Sequence, residues 1–167
     1  VIYAAQNRTQ ASLERFFQQL GPGRCRKIKA VAMDMWNPYA AAVERYLPHA
    51  RIVFDKFHVL SHYGKTLDGI RSAEFKKASE HDRKIIKGSK YLLLSNKHNL
   101  TDTQQHNLAS LLILNQNLNL AYILKEDLQQ LWKYSSAEEA QFHLKNWIRK
   151  ALDSNIPKLK KFAKMLL

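Results

Sequence analysis

Two short apolar segments on either side of a proline-initiated helix constrain the fold of this chain more than any other feature of its sequence. They are IKAVAM (28–33) and RIVF (51–54), and both have the length and composition of strands buried in a parallel sheet. Between them, Asn37 is a predicted helix cap and Pro38 takes the first helical position. With VIYAA (1–5) as an earlier strand, the alternation of strands and helices predicts a parallel α/β sheet with right-handed crossovers.

The character of the chain changes after Asp55, where strand patterns give way to helical ones. The short apolar run YLLL (91–94) is interpreted as buried helix. We therefore predict an α/β part over residues 1–56 and an all-helical part over residues 57–167. Outside 91–94 the predicted helices cover about 9–20, 38–46, 57–79, 102–114, 117–133, 137–153 and 157–167, with Thr9, Thr101 and a Ser136–Glu139 capping box as start signals.

Two aspartates, Asp34 and Asp55, follow directly after the two apolar segments. In open α/β sheets the chemistry gathers at the carboxyl ends of the strands, so these acids are candidate catalytic residues. Carboxylates clustered at such an edge suit Mg²⁺ or Mn²⁺, which take oxygen ligands and support phosphodiester chemistry. The alternative is that each aspartate caps the helix after it, and this alternative is stronger for Asp55 because a helix begins almost at once.

A histidine, His58, lies three residues after Asp55 and has several possible roles. It is a candidate metal ligand, a general base, or a polar contact that orients Asp55 or the strand edge. His58 and His62 have the four-residue spacing of zinc ligands, but only Cys25 or another carboxylate is available to complete a tetrahedral set. We expect Cys25 to be an ordinary surface or loop thiol, and a single cysteine fits a reducing compartment.

The chain has 27 Lys and Arg against 14 Asp and Glu, a formal net charge of +13. A charge of this size predicts polyanionic partners, with nucleic acid ahead of anionic membrane. No apolar run is long enough to span a membrane and no signal peptide is visible, so we expect a cytoplasmic protein. Because the chain begins with Val1 inside a strand-like segment, we expect it to be a piece of a longer protein.

The segment VAMDMWNPYAAAVERYLPHARIVFDKFHVL (31–60) resembles the ISL-three family of insertion-sequence transposases. GIRSAEFKK (69–77) and GSKYLLLSNKHNLTDTQQ (88–105) continue the resemblance, which covers essentially the whole chain. It implies an RNase H-like core with a DDE triad of acids and a helical insertion before the final glutamate. On this match Asp34 is the second triad acid, whereas Asp55 with His58 fits a signature of Cys or Asp, two residues, then His.

The resemblance also predicts what the whole protein does. The family places the first aspartate of the triad before Val1 and the final glutamate after Leu167. The full-length enzyme is expected to cleave and transfer DNA strands with two Mg²⁺ or Mn²⁺ ions, as a homo-oligomer on the bacterial nucleoid. One acid cannot hold two divalent ions, so we predict that the 167-residue chain alone does not cut or join DNA.

Lysine and arginine recur through the helical part, which the resemblance identifies as the insertion domain. As candidate DNA-binding residues we name Lys56, Arg71, Lys76 and Lys77. The alternative for these side chains is a solvated polar face of a helical bundle. For the chain as a whole, one alternative is a non-catalytic basic domain that binds nucleic acid, from a degenerate or domesticated element. Another is a small α/β protein with a helical dimerisation arm.

Overall fold

The computed structural model describes all residues from 1 to 167, and they form two compact units. The N-terminal unit is Val1–Val59 and the helical unit is Leu60–Leu167. The division falls inside one long helix, a few residues after the predicted boundary between 56 and 57. Each unit is described by itself below, and their roles as catalytic core and insertion domain remain predictions.

The N-terminal unit is a two-stranded parallel sheet with helices before and between its strands. The strands pair in register from Ala30 opposite Arg51 to Met33 opposite Phe54. The parallel strand–helix–strand arrangement predicted from the apolar segments is therefore present. Its elements are α1 (Gln10–Leu20), α2 (Pro22–Cys25), β1 (Ala30–Met33), α3 (Asn37–Tyr46) and β2 (Arg51–Phe54).

The core of the N-terminal unit lies on one face of this sheet. Phe17 of α1, Val43 of α3 and Leu47 are buried together, and alternate strand residues such as Val31 and Ile52 pack against them. The strands were expected to be buried on both faces, but Val53 is 52% exposed. Ala30, Ala32 and Arg51, which lie on the same face as Val53, are exposed as well.

The segment at residues 1–5, predicted as a strand, has no strand structure. Instead, the Tyr3 hydroxyl donates to the Ser12 carbonyl at 3.2 Å, and the Tyr3 ring lies 5.3 Å from that of Phe16. The Tyr3 side chain thus packs on α1, and the segment at 1–5 does not pair with the sheet. Cys25 also differs from expectation, because it is buried in the core and its Sγ lies 3.5 Å from the Phe17 carbonyl.

The helical unit begins inside a long helix and continues with six shorter ones. The predicted helix at 91–94 is confirmed, whereas the helix at 80–86 was not predicted. No helix of the chain is both long and apolar enough to cross a membrane. The helices are α4 (Lys56–Lys77), α5 (Glu80–Ile86), α6 (Lys90–Leu94), α7 (Asp102–Leu114), α8 (Gln116–Gln130), α9 (Ala137–Asp153) and α10 (Pro157–Met165), with short 3₁₀ turns at Lys97–Asn99 and Leu131–Lys133.

Local capping signals account for most of the observed helix starts. Thr9 accepts from the Ser12 amide, and Thr101 forms a reciprocal capping box with Gln104. Ser136 accepts from the Glu139 amide, which is one half of its predicted capping box, and the return bond to the Glu139 side chain is not formed. Asn37 was predicted to be a cap, but it is the first residue of α3 and makes no capping bond, so that prediction was wrong.

Three aromatic rings form the centre of the helical unit. Tyr63, Trp147 and Phe162 are almost completely buried, with edge-on ring contacts of 5.0 to 5.8 Å. The Tyr63 hydroxyl donates to the Ala121 carbonyl at 2.7 Å, and the Trp147 indole donates to the Leu124 carbonyl at 2.8 Å. These two bonds satisfy the polar atoms that burial would otherwise leave without partners.

Burial raises the pKa of the Tyr63 hydroxyl well above its usual value near 10. The buried, protonated hydroxyl of Tyr63 therefore contributes its full share of the stability below about pH 10. That share is lost as the pH rises further, because only the unfolded chain then releases the proton. We expect the free energy of unfolding to fall above pH 10, by at most about 1.4 kcal/mol per pH unit for this residue. Urea denaturation at a series of pH values measures this slope.

The matched variant for this measurement is Tyr63→Phe. It loses one hydrogen bond, about 1 kcal/mol at neutral pH, and should have a shallower decline above pH 10. Burial lowers the pKa of Lys125, which acts in the opposite direction up to about pH 10.5, but that residue is common to both proteins. Parallel declines in the two proteins would show that Tyr63 is not the source.

A buried lysine joins two helices of the helical unit. Lys125 of α8 is only 4% exposed, and its ammonium group donates to the carbonyls of Leu93 and Ser95 at 2.8 and 2.7 Å. These carbonyls belong to the C-terminal end of α6, which has no helical donors left for them. Glu126 lies 3.0 Å away and balances the charge. Lys125 is thus a structural residue and is not available to a phosphate.

Candidate active site at the carboxyl ends of the two strands

The two aspartates singled out from the sequence lie at the same edge of the sheet. Asp34 follows the last residue of β1 and Asp55 follows the last residue of β2. The Asp55 amide donates to the Met33 carbonyl at 3.0 Å, so the pairing of the strands continues up to the acids. After Asp34 the chain turns sharply, and the Trp36 amide donates back to the Asp34 carbonyl at 2.8 Å. The parallel strands thus place both acids at their carboxyl ends.

Asp55 caps the helix that follows it. Its Oδ1 accepts from the amides of Phe57 and His58 at 2.8 and 3.1 Å, and its own carbonyl accepts from the Val59 amide. These are two of the four amide groups that a helix start leaves without partners. The capping alternative considered for Asp55 therefore describes its hydrogen bonds in this structure.

Asp34 is in contact with the side chains of Arg8 and His58. The Arg8 guanidinium forms an ion pair with Oδ2, and His58 Nε2 lies 3.1 Å from Oδ1. The Asp34 side chain is 35% exposed, so it remains accessible from solvent. The His58 side chain therefore contacts Asp34 at the strand edge and makes no hydrogen bond or ion pair with Asp55.

Arg8 is held at this position by two aromatic rings. Its guanidinium lies 5.1 Å from the centre of the Trp36 ring and 5.9 Å from that of Tyr39. The Trp36 indole donates to the Arg8 carbonyl at 3.0 Å. Arg8 could not be predicted as part of the site from sequence patterns, because it lies 26 residues before Asp34 and belongs to no motif.

The donor set at this edge fits a divalent cation only in part. Asp34 offers the hard carboxylate oxygens that Mg²⁺ and Mn²⁺ prefer. No group of three or more His, Cys, Asp or Glu residues in the chain is arranged to hold a metal ion. Asp34 is thus suited to be one ligand among several, and these residues do not form a complete site by themselves. The zinc alternative with His58, His62 and Cys25 gains no support from this geometry.

Comparison with known protein families shows to which family the chain belongs. The family model DDE_Tnp_ISL3, which is described as a transposase, matches residues 1–167. The chain belongs to the ISL-three transposase family.

Curated relatives of the chain are transposases of insertion sequences. The transposase for insertion sequence element IS1001 of Bordetella parapertussis is 37% identical over 169 residues, which cover 99% of this chain and 42% of the relative. The transposase for IS1557 of Mycobacterium tuberculosis is 28% identical over 180 residues, covering 94% of this chain and 40% of the relative. The chain therefore spans about two fifths of the length of these relatives. No solved structure matches it.

The residues of this family member that were predicted to bind DNA are in different environments. Lys56, Lys76 and Lys77 are exposed, and Lys77 lies 3.7 Å from Glu74. Arg71 is mostly buried, and its Nε donates to Asp68 at 2.8 Å. Arg71 therefore already has a carboxylate partner, while the lysines face solvent. The DNA-binding role of all four residues remains a prediction.

Proposed function

We propose that this chain is the part of an insertion-sequence transposase that contributes the second acid of a DDE catalytic triad, Asp34. The observation that supports the proposal is the position of Asp34 at the carboxyl end of β1 in a member of the ISL-three family. The substrate of the whole protein would be DNA, and the reaction would be cleavage of phosphodiester bonds followed by strand transfer.

In this proposal Asp34 holds one position on a divalent cation, Mg²⁺ or Mn²⁺. The other ligands would come from the part of the whole protein that this chain does not span. When bound, such ions would supply charge stabilisation and an activated oxygen nucleophile for attack on the phosphodiester. Arg8 now occupies one oxygen of Asp34, so cation binding at that oxygen would need the Arg8 side chain to move.

Asp55 and His58 act in this proposal as positioning residues. Asp55 fixes the start of α4 through its two amide contacts, and His58 lies in the first turn of that helix. The helix start thereby directs the His58 ring towards Asp34. A histidine beside the carboxylate would restrict the rotation of the Asp34 side chain and hold it at the edge of the sheet.

The remaining assignments also belong to the proposal. The N-terminal unit would be part of an RNase H-like core, and the helical unit would be the insertion domain. The whole protein would work as a homo-oligomer on DNA in the bacterial cytoplasm. For these assignments the parallel β1–α3–β2 unit, the family membership and the positive charge of the chain provide the support.

Incubation of the full-length protein with DNA that carries the ends of its element tests the proposal. With Mg²⁺ we expect strand cleavage at those ends, and no cleavage by the 167-residue chain under the same conditions. Cleavage by the chain alone would contradict the assignment of a single triad acid to it. Binding of the DNA without cleavage by the full-length protein would favour the non-catalytic basic domain.

A further inference from the structure

Some of the lysines and arginines of the helical unit already have partners within the protein. The unit contains 18 lysine and arginine residues and 10 acidic ones. Several cations have acidic or carbonyl partners that make them unavailable to a ligand. These are Arg71 and Lys90, which pair with Asp68, Lys150, which pairs with Asp127, and Lys125, which is buried against α6.

The lysines of the last helix, α10, have no such partners. Four of its nine residues are lysines and none is acidic. None of the four ammonium groups has an ion pair or a hydrogen bond in the structure. We call this set the α10 lysines: Lys158, Lys160, Lys161 and Lys164.

The packing of α10 turns these lysines away from the core. Leu159, Phe162 and Ala163 are buried, and the Phe162 ring lies 5.8 Å from that of Trp147 on α9. Lys158, Lys161 and Lys164 recur every three residues on the exposed side. At a rise of 1.5 Å per residue they span about 9 Å, which matches two or three successive phosphates of one DNA strand.

The sequence of α10 is unfavourable for the isolated helix. Lysines three or four positions apart repel one another, at about 0.2–0.5 kcal/mol for each pair. The first turn holds a lysine and no acid, although a helix start favours negative charge. A polyanion along the exposed side would remove both penalties.

A cleft adjoins the N-terminal end of α10. It has a volume of about 320 Å³, and Lys158 and Lys77 both line it, together with Glu74. Two asparagine amides, from Asn115 and Asn117, donate to the Glu74 carboxylate at 3.0 Å. These bonds hold the carboxylate in place beside Lys77, whose ammonium group lies 3.7 Å away. Lys158 is therefore the ammonium group at the cleft that has no acidic partner.

We propose that the α10 lysines bind the phosphate backbone of duplex DNA. The inference relies on the proposed function for the choice of DNA as the polyanion. A membrane surface does not fit, because a helix that binds lipid inserts its apolar side, and here that side is buried in the core. Without base-reading groups on α10, the contact positions DNA and does not select a sequence.

Replacing the three exposed lysines together tests the inference. The variant carries Lys158→Gln, Lys161→Gln and Lys164→Gln, which keep helix propensity and leave the buried side unchanged. Binding of the 167-residue chain to a short duplex DNA is measured by fluorescence anisotropy from about 50 to 200 mM salt. Each lost phosphate contact should reduce the salt slope by about 0.9, so the parent chain should lose roughly 40-fold more affinity over this range than the variant.

The matched control carries Lys84→Gln, Lys97→Gln and Lys133→Gln, which remove the same charge from exposed positions elsewhere in the unit. We expect it to keep most of the salt slope, and we expect Lys-to-Arg changes at the three α10 positions to keep the affinity. Equal loss in both glutamine variants would overturn the inference and indicate a diffuse charge effect. Binding to vesicles of anionic lipid but not to DNA would also overturn it.

This test is independent of catalysis. If the full-length protein cleaves DNA and the α10 variant binds as tightly as the parent chain, the inference fails and the proposed function stands. If the variant loses binding but the full-length protein never cleaves, the proposed function fails and the α10 contact stands.

Discussion

Asp34→Asn in the full-length protein is expected to lower the rate of DNA cleavage by at least about 10³-fold, equivalent to about 4 kcal/mol of lost transition-state stabilisation. The amide removes the negative charge that a divalent cation needs, at nearly constant size. Folding should be almost unaffected, because Asp34 and Arg8 are 35% and 51% exposed and such surface ion pairs contribute 1 kcal/mol or less. Single-turnover cleavage of labelled DNA measures the rate.

Asp55→Asn is the matched control for this experiment. Asparagine caps a helix about as well as aspartate, so the hydrogen bonds to Phe57 and His58 can persist. We expect cleavage within a few-fold of the parent protein for Asp55→Asn, and a larger loss for Asp55→Ala, whose missing cap costs about 1 kcal/mol. A loss in Asp55→Asn as great as in Asp34→Asn would show that Asp55 is a catalytic acid.

Trp147→Ala is expected to destabilise the helical unit by about 3–5 kcal/mol. The indole has no solvent exposure, contacts both Tyr63 and Phe162, and donates to the Leu124 carbonyl. The substitution leaves a large cavity and removes that hydrogen bond. Since a domain of this kind is stable by only about 5–15 kcal/mol, much of its stability would be lost.

Phe142→Ala on the same helix is the control for Trp147→Ala. Phe142 is 69% exposed, so its removal should change the free energy of unfolding by no more than about 0.5 kcal/mol. Urea denaturation followed by circular dichroism compares the two variants with the parent chain. Similar effects of the two substitutions would contradict the placement of Trp147 at the centre of the unit.

Most of the helices could be predicted from the sequence because their signals are local, although α5 was not predicted. Thr9 and Thr101 cap their helices through amides only three residues away. The segment at 1–5 has a strand-like composition but is not a strand, since a strand requires a pairing partner and composition does not show whether one is present. The cap predicted at Asn37 is also not formed, because Pro38 fixes the helix start and the Asn37 side chain is not needed as a cap.

The candidate site was predictable only in outline. Parallel strands must bring Asp34 and Asp55 to one edge, so their shared location follows from the order of elements. Their different environments depend on side-chain contacts. The ion pair with Arg8 joins residues 26 positions apart, and the contact of His58 with Asp34 depends on where α4 begins. Local sequence patterns do not predict contacts of this kind.

Asp34→Cys shows whether Asp34 contacts a catalytic divalent cation. A thiolate is a poor ligand for Mg²⁺, whereas Mn²⁺ accepts softer ligands more readily. The native Cys25 is buried in the core, so the thiol introduced at position 34 is the one exposed to the metal ions. The ratio of cleavage rates in Mn²⁺ and Mg²⁺ is measured for the full-length parent protein and for Asp34→Cys. We predict that the substitution raises this ratio by about tenfold or more, a difference of about 1.4 kcal/mol. An unchanged ratio, or normal cleavage by Asp34→Cys in Mg²⁺, would contradict direct coordination by Asp34.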